Sequence, residues 1–127
     1  MVLGIGVDLI EVARIRHNIE RYGDRFLNRI YTADERAYSS AKGNAAERYA
    51  VRFAAKEAAM KAIGTGWREG VTWQDFQVRN EPSGRPVLLL SGVARRIAAQ
   101  MGVERTSLSL THTAEMAFAI VILESGR

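Results

Sequence analysis

Glu57 and Lys61 are the residues whose types and spacing first suggest chemistry. They lie in Arg52-Phe53-Ala54-Ala55-Lys56-Glu57-Ala58-Ala59-Met60-Lys61-Ala62, inside an alanine-rich run from about Ala45 to Ile63 that has no proline or glycine. At about 100° per residue, Ala50, Ala54, Glu57 and Lys61 fall on one line of a helix, with Phe53 and Met60 beside them. An exposed Glu-to-Lys pair one turn apart would contribute only about 0.3–0.5 kcal/mol. This pair, however, sits on a face of small and apolar groups, where a charge is costly unless a partner, metal or ligand accompanies it. A second carboxylate, Asp8, has a similar setting at the end of Gly4-Ile5-Gly6-Val7. Two hard carboxylates without a neighbouring histidine or cysteine suit Mg²⁺, which takes one or two carboxylates together with waters and substrate phosphates. With Lys61 to neutralise a phosphate, these are the components of phosphoryl transfer, in which positioning and electrostatics do most of the catalysis.

Two elements must bring Asp8 to Glu57. Val2 to Ile10 alternates as a strand: Leu3, Ile5, Val7 and Leu9 form its expected buried face, and Gly4, Gly6 and Asp8 the other. The glycines admit either a ligand or a closely packed helix. The second element is the long helix itself, which Gly64 should end. Between them, Glu11 to Tyr22 reads as a helix closed by Gly23, and Phe26 to Ile30 as a short helical turn. Thr32-x-x-Glu35 forms a capping box that starts a helix through about Ala41. Arg14, His17, Asn18 and Arg21 share one face of the first helix, with Arg25 just beyond and Ile15 and Ile19 toward the core. That basic stripe is either a solvated face or a docking surface for an acidic helix.

After Gly64-Thr65-Gly66 comes a loop carrying Trp67 and Trp73. Phe76 to Arg79 and Pro86 to Leu90 read as a hairpin turned by Glu81-Pro82-Ser83-Gly84-Arg85-Pro86. Ser91 is the expected N-cap of a helix running to about Met101 and closed by Gly102. Thr106 to His112 and Met116 to Leu123 are expected as the last two strands, joined at Thr113-Ala114-Glu115. His112, at a strand end among hydroxyls, is either a satisfied structural residue or a phosphate contact. The order strand, helices, hairpin, helix, hairpin predicts an α+β fold with a mostly antiparallel sheet.

The 127 residues predict one domain spanning 1–127, and 47% hydrophobic residues provide for a core. Absence of cysteine excludes disulfides and thiolate metal sites. The longest apolar run, Ala117 to Leu123, is too short for a bilayer. The N-terminus does not read as a signal peptide. A cytoplasmic protein that does not engage membranes is the expectation. A net charge of +4 and a pI near 9.8 favour polyanions, whether nucleic acid, acidic protein or phosphorylated small molecules. A nucleic-acid-binding module would interleave aromatics with Lys and Arg on an exposed strand face. The strands here carry aliphatic, alanine and small polar residues instead, so nucleic acid is not expected as a partner.

Four motifs stand in a telling order: Gly4-Ile5-Gly6-Val7-Asp8 before Ile10-Glu11; Arg52-Phe53-Ala54-Ala55-Lys56-Glu57-Ala58 with Lys61 and Ala62; Gly64-Thr65-Gly66; and Ser109-Leu110-Thr111-His112-Thr113. Over nearly the whole chain they resemble holo-acyl-carrier-protein synthase, the small bacterial class of 4′-phosphopantetheinyl transferases. The resemblance implies transfer of the phosphopantetheine arm of coenzyme A to a serine hydroxyl of apo acyl carrier protein in fatty acid biosynthesis. Adenosine 3′,5′-bisphosphate is the released product, and the rival reading, a non-catalytic coenzyme A-binding protein, would leave the pairing of Asp8 with Glu57 and Lys61 unexplained. It implies that Asp8 and Glu57 hold Mg²⁺, that Glu57 helps take the serine proton directly or through a metal-held water, and that Lys61 stabilises charge on the phosphate. It also implies contacts from Lys56 and His112 to coenzyme A phosphates, Gly64 beside the bound cofactor, and Ser83-Gly84-Arg85-Pro86 against the adenine. It implies a homotrimer with shared sites, and Arg14, Arg21 and Arg25 meeting an acidic carrier protein. Three positions depart from the family pattern: Ile10 stands where larger relatives carry a further carboxylate, Ser83 where asparagine is common, and Asn18 where an apolar docking contact is common.

Overall fold

The computed structural model describes residues 1–41, 43–65 and 70–126. Gly66 and Trp67 of the expected loop lie outside them. Strand β1 (Val2–Glu11) leads into helices α1 (Val12–Tyr22), α2 (Asp24–Ile30), α3 (Ala33–Ser40) and the long α4 (Ala45–Ile63). A 3-10 turn (Trp73–Asp75), the hairpin β2 (Phe76–Asn80) and β3 (Pro86–Leu90), helix α5 (Gly92–Met101) and strands β4 (Arg105–His112) and β5 (Met116–Glu124) complete the fold. The sheets are antiparallel throughout: β1-β5-β4, with β5 central, and the separate pair β2-β3. The α+β expectation therefore holds.

Most boundaries follow from local chemistry. Thr32 and Glu35 close a capping box at α3, where each side chain pairs with the other's backbone N–H. Gly64 ends α4 in the left-handed region at φ 81, where its N–H donates to Met60 and Lys61 carbonyls. At α5 the cap differs from the expectation. Ser91 makes no side-chain cap; Asp75, sixteen residues earlier, accepts the Ala94 N–H at 3.2 Å. The sequence neighbour is thus replaced by a carboxylate that the 3-10 turn carries in.

Strand β1 corrects a second expectation. Ile5, Val7 and Leu9 are 57%, 44% and 61% exposed, while Gly6 and Ile10 are buried. The glycine face is the one turned to the core, because α4 lies directly on it. A Cβ on Gly6 would stand 1.8 Å from the Ala58 carbonyl oxygen, and one on Gly4 2.2 Å from that of Ala62. The alanines at 54, 55, 58, 59 and 62, all buried, supply the short side chains that this approach requires. Of the two readings left open for the glycines, the closely packed helix is the one the fold takes. That packing fixes where Glu57 and Lys61 stand relative to Asp8.

Candidate active site

Asp8 occupies the last glycine-face position before Ile10, so β1 presents it at the rim of the α4 contact. Its side chain is 16% exposed. From α4, Lys61 reaches over and donates to Asp8 Oδ1 at 3.2 Å and to the Val7 carbonyl at 3.0 Å. Glu57, one turn earlier and half-buried, shares this site electrostatically. Burial first, then the Asp8 carboxylate, push its acid above the usual carboxyl range, while Lys61 and Arg14 pull it back. Arg14, expected only as a docking residue, therefore also acts on Glu57 from α1. Gly64 lies just beyond Lys61 on the same helix end.

Two crowded carboxylates with hard oxygen donors fit a small divalent cation, which would offset the burial and the Asp8 repulsion that raise Glu57. Among the described residues no three or more His, Cys, Asp or Glu gather as a metal cluster, so neither Glu11 nor position 10 extends the pair. A cation held by this pair would need water or substrate oxygens as its further ligands.

The other half of the site lies toward the start of α4. A cleft of about 220 Å³ is lined by Tyr38, Arg48, Val51, Arg52, Asn80, Gly84, Pro86, Leu110 and His112. Three residues expected at a bound cofactor, Gly84, Pro86 and His112, thus meet there. The hairpin turn holds its form through Gly84 N–H to Glu81 O at 2.7 Å and Asn80 Nδ2 to Gly84 O at 3.0 Å. Ser83 stays at the exposed tip, where its hydroxyl accepts the Arg85 N–H at 3.4 Å. His112 Nδ1 stands 3.1 Å from Glu47 Oε1. Register ties the two halves together: Leu110 of the cleft shares a row with Asp8 through Ala119, two strands or roughly 10 Å away. Along α4, Arg52 precedes Glu57 by five residues, roughly 7 Å of rise.

Lys56 departs from its expected role. Its ammonium has no exposed surface; it pairs with Glu35 Oε1 at 2.7 Å and donates to the Trp73 carbonyl at 3.2 Å and to that of Phe76. Burial lowers its pKa, and Glu35 opposes that shift. It ties α4 to α3 and to the start of the hairpin, and no part of it is open to a ligand. Sequence reasoning missed instead Arg48, Arg52, Tyr38 and Asn80. Arg52 is 4% exposed, stacks its guanidinium 4.3 Å over the Tyr38 ring and bonds Asn80, yet its Nε finds no hydrogen-bond partner among the described residues. A signal existed: cations at 48, 52 and 56 repeat at one-turn spacing on an alanine-rich helix, where each requires a partner or ligand.

Of the docking arginines, Arg25 lines a surface groove of about 370 Å³ with Asn18, Tyr22, Phe26 and Arg29. Arg21 lies alongside, its Nε donating to the Tyr22 hydroxyl at 3.2 Å.

A carboxylate pair with an ammonium, joined by one helix to a cationic cleft, defines a phosphate-handling α+β domain. The pattern of the 4′-phosphopantetheinyl transferase superfamily matches residues 4–121. A holo-[acyl-carrier-protein] synthase of Solibacter usitatus is 62% identical over 125 residues, covering 98% of this chain and 100% of the relative. The crystal structure of the Neisseria meningitidis holo-[acyl-carrier-protein] synthase superposes with a TM-score of 0.89 at 31% identity, covering 98% of this chain and 100% of that one. A Bacillus anthracis holo-(acyl-carrier-protein) synthase in complex with CoA (3′,5′-ADP) superposes with a TM-score of 0.80 at 41% identity, covering 99% of both chains. The chain belongs to the 4′-phosphopantetheinyl transferase superfamily and, within it, to the holo-[acyl-carrier-protein] synthase family.

Proposed function

We propose that this enzyme transfers the 4′-phosphopantetheine arm of coenzyme A to a serine hydroxyl of apo acyl carrier protein, with release of adenosine 3′,5′-bisphosphate. The observation that carries the reading is the meeting of Asp8, Glu57 and Lys61 at one end of α4 while Arg52 and His112 line a cleft at the other. Asp8 and Glu57 are the residues that would hold Mg²⁺. When bound, that ion supplies positive charge against the pyrophosphate oxygens.

The protein's own groups do the rest. Arg52, with an unused N–H, and His112 receive nucleotide phosphate, and the Gly84–Pro86 turn lies against the base. Lys61, already held by an anion, is placed to meet charge developing on the transferring phosphate. Glu57 takes the serine proton; an acid raised by burial is a stronger base near neutral pH than an ordinary carboxylate.

The carrier protein docks through an acidic face on Arg21, Arg25 and the Arg25–Arg29 groove, with Arg14 bridging to the site. Because Arg14 also acts on Glu57, Arg25→Glu is the cleaner docking probe. It should raise KM for carrier protein and leave that for coenzyme A within about twofold, since such charges act on encounter. An equal loss for both substrates would remove the docking assignment. The enzyme is read as a homotrimer with shared sites, supported by the exposed apolar row Ile5, Val7 and Leu9. Among the described residues no helix is long and apolar enough to cross a membrane, and the chain has no cysteine. Both features accord with work in the cytoplasm.

The test is the intact mass of apo acyl carrier protein after incubation with the enzyme, coenzyme A and Mg²⁺, with an EDTA control. A metal-dependent gain of one phosphopantetheine arm supports the reaction. No gain across several carrier proteins rejects it, in favour of a coenzyme A- or phosphate-binding protein.

A further inference from the structure

Behind His112 of the nucleotide cleft stands a carboxylate that the reaction itself does not use. Glu47 lies in the first turn of α4, next to Arg48, with its side chain 23% exposed. Its Oε1 stands 3.1 Å from His112 Nδ1, and the Thr113 carbonyl lies 3.4 Å from the same nitrogen. Both neighbours are acceptors, so Nδ1 must be the donor and carries a hydrogen. The ring is thereby held from one side, and Nε2 is left for a ligand in the cleft that His112 lines. A phosphate oxygen accepts only, so it requires a hydrogen on Nε2 as well. A ring set this way donates from Nδ1 to Glu47 on one side and from Nε2 to the ligand on the other.

We propose that Glu47 is the positioning residue for His112, orienting its ring so that Nε2–H meets a phosphate of coenzyme A. The proposal rests on the functional reading above. Placement favours it: α4 carries Glu47, Arg48 and Arg52 within two turns, so one rigid helix sets the histidine's orientation and supplies the cationic wall of the cleft. His112 sits on a strand end, where the Thr113 carbonyl at 3.4 Å is the longer of its two Nδ1 contacts among the described residues. Glu47 itself contacts no reacting group.

The test measures kcat and KM for coenzyme A and for apo carrier protein in Glu47→Ala, Glu47→Gln, His112→Ala and the Glu47→Ala/His112→Ala pair. Glu47→Ala should raise KM for coenzyme A about threefold to fivefold, the scale of a partly exposed ion pair. Its kcat and its KM for carrier protein should stay within about twofold. Glu47→Gln keeps an acceptor for Nδ1 and should recover more than half of the loss. The double variant should match His112→Ala, because a positioning residue has nothing left to position. Independent, multiplying effects in the double variant would overturn the proposal, as would a Glu47→Ala loss confined to kcat. An unchanged coenzyme A KM in Glu47→Ala, with His112→Ala impaired, overturns it while His112 keeps its contact. An unchanged KM in His112→Ala strikes the histidine's place in the functional reading, and the Glu47 proposal falls with it.

Discussion

Glu57 carries opposing influences that give its protonation a definite sign. Burial and Asp8 raise its pKa; Lys61 and Arg14 lower it by less. Without metal, the folded protein therefore binds the Glu57 proton more tightly than the unfolded chain does. The associated stabilisation is present below the unfolded carboxyl value and is lost as pH rises through the raised folded value. Glu57→Gln, which has no such proton, should gain stability relative to the native protein across that window in urea unfolding. A pH-independent difference would refute the origin of the shift. For turnover, Asp8→Ala and Glu57→Ala should each lose at least about 10²-fold in kcat, the scale of one preorganised electrostatic contact. Normal rates in both would remove the carboxylate pair from the chemistry. Lys56 gives the contrasting case of a charge that serves the fold. Lys56→Met leaves the buried Glu35 carboxylate with the Thr32 and Val78 N–H donors but without its ammonium partner, at a cost of about 3–5 kcal/mol. Adding Glu35→Gln removes the stranded charge and should recover at least half, read as the urea midpoint at constant slope.

Helix α4 and strand β1 together set the site, and their contact depends on missing side chains. Gly6→Ala would drive a Cβ into the Ala58 carbonyl oxygen, which is backbone and cannot turn aside. The helix must shift, so a stability loss of about 1–3 kcal/mol is expected. Because the same shift moves Glu57 and Lys61 away from Asp8, kcat should fall even where the protein remains folded. Unaltered kcat in folded Gly6→Ala would show that the catalytic geometry tolerates the displacement. This contact also marks what the chain alone discloses. Element positions were legible because Thr32, Glu35, Gly64 and Gly102 act on their own neighbours. Asp8, Glu57 and Lys61 were legible as a set because each breaks the pattern of its own element. The inward face of β1 was not, since alternation specifies a period and not which face meets a helix. Lys56 and Arg52 were not placed because Glu35 and Asn80, 21 and 28 residues away, become their partners only in the tertiary structure.

At the scale of the molecule, the outer face of the β1-β5-β4 sheet carries no further layer among the described residues. In register, Ile5 stands opposite Ile122, Val7 opposite Ile120 and Leu9 opposite Phe118, while β4 adds Ser107, Ser109 and Thr111 alongside. A contiguous apolar row of this kind is costly in water and is characteristic of an interaction surface. The same strand carries Asp8 on its other face, so whatever covers the row stands one strand thickness from the chemistry. If copies of this chain cover it, a charge there should separate them and weaken catalysis together. Val7→Glu should convert the native oligomer to monomers by light scattering after size exclusion. Its effect on turnover should relax as protein concentration rises, because association obeys mass action. An oligomer of unchanged mass in Val7→Glu would move the interface elsewhere. Monomers with full turnover would show that each chain holds a complete site.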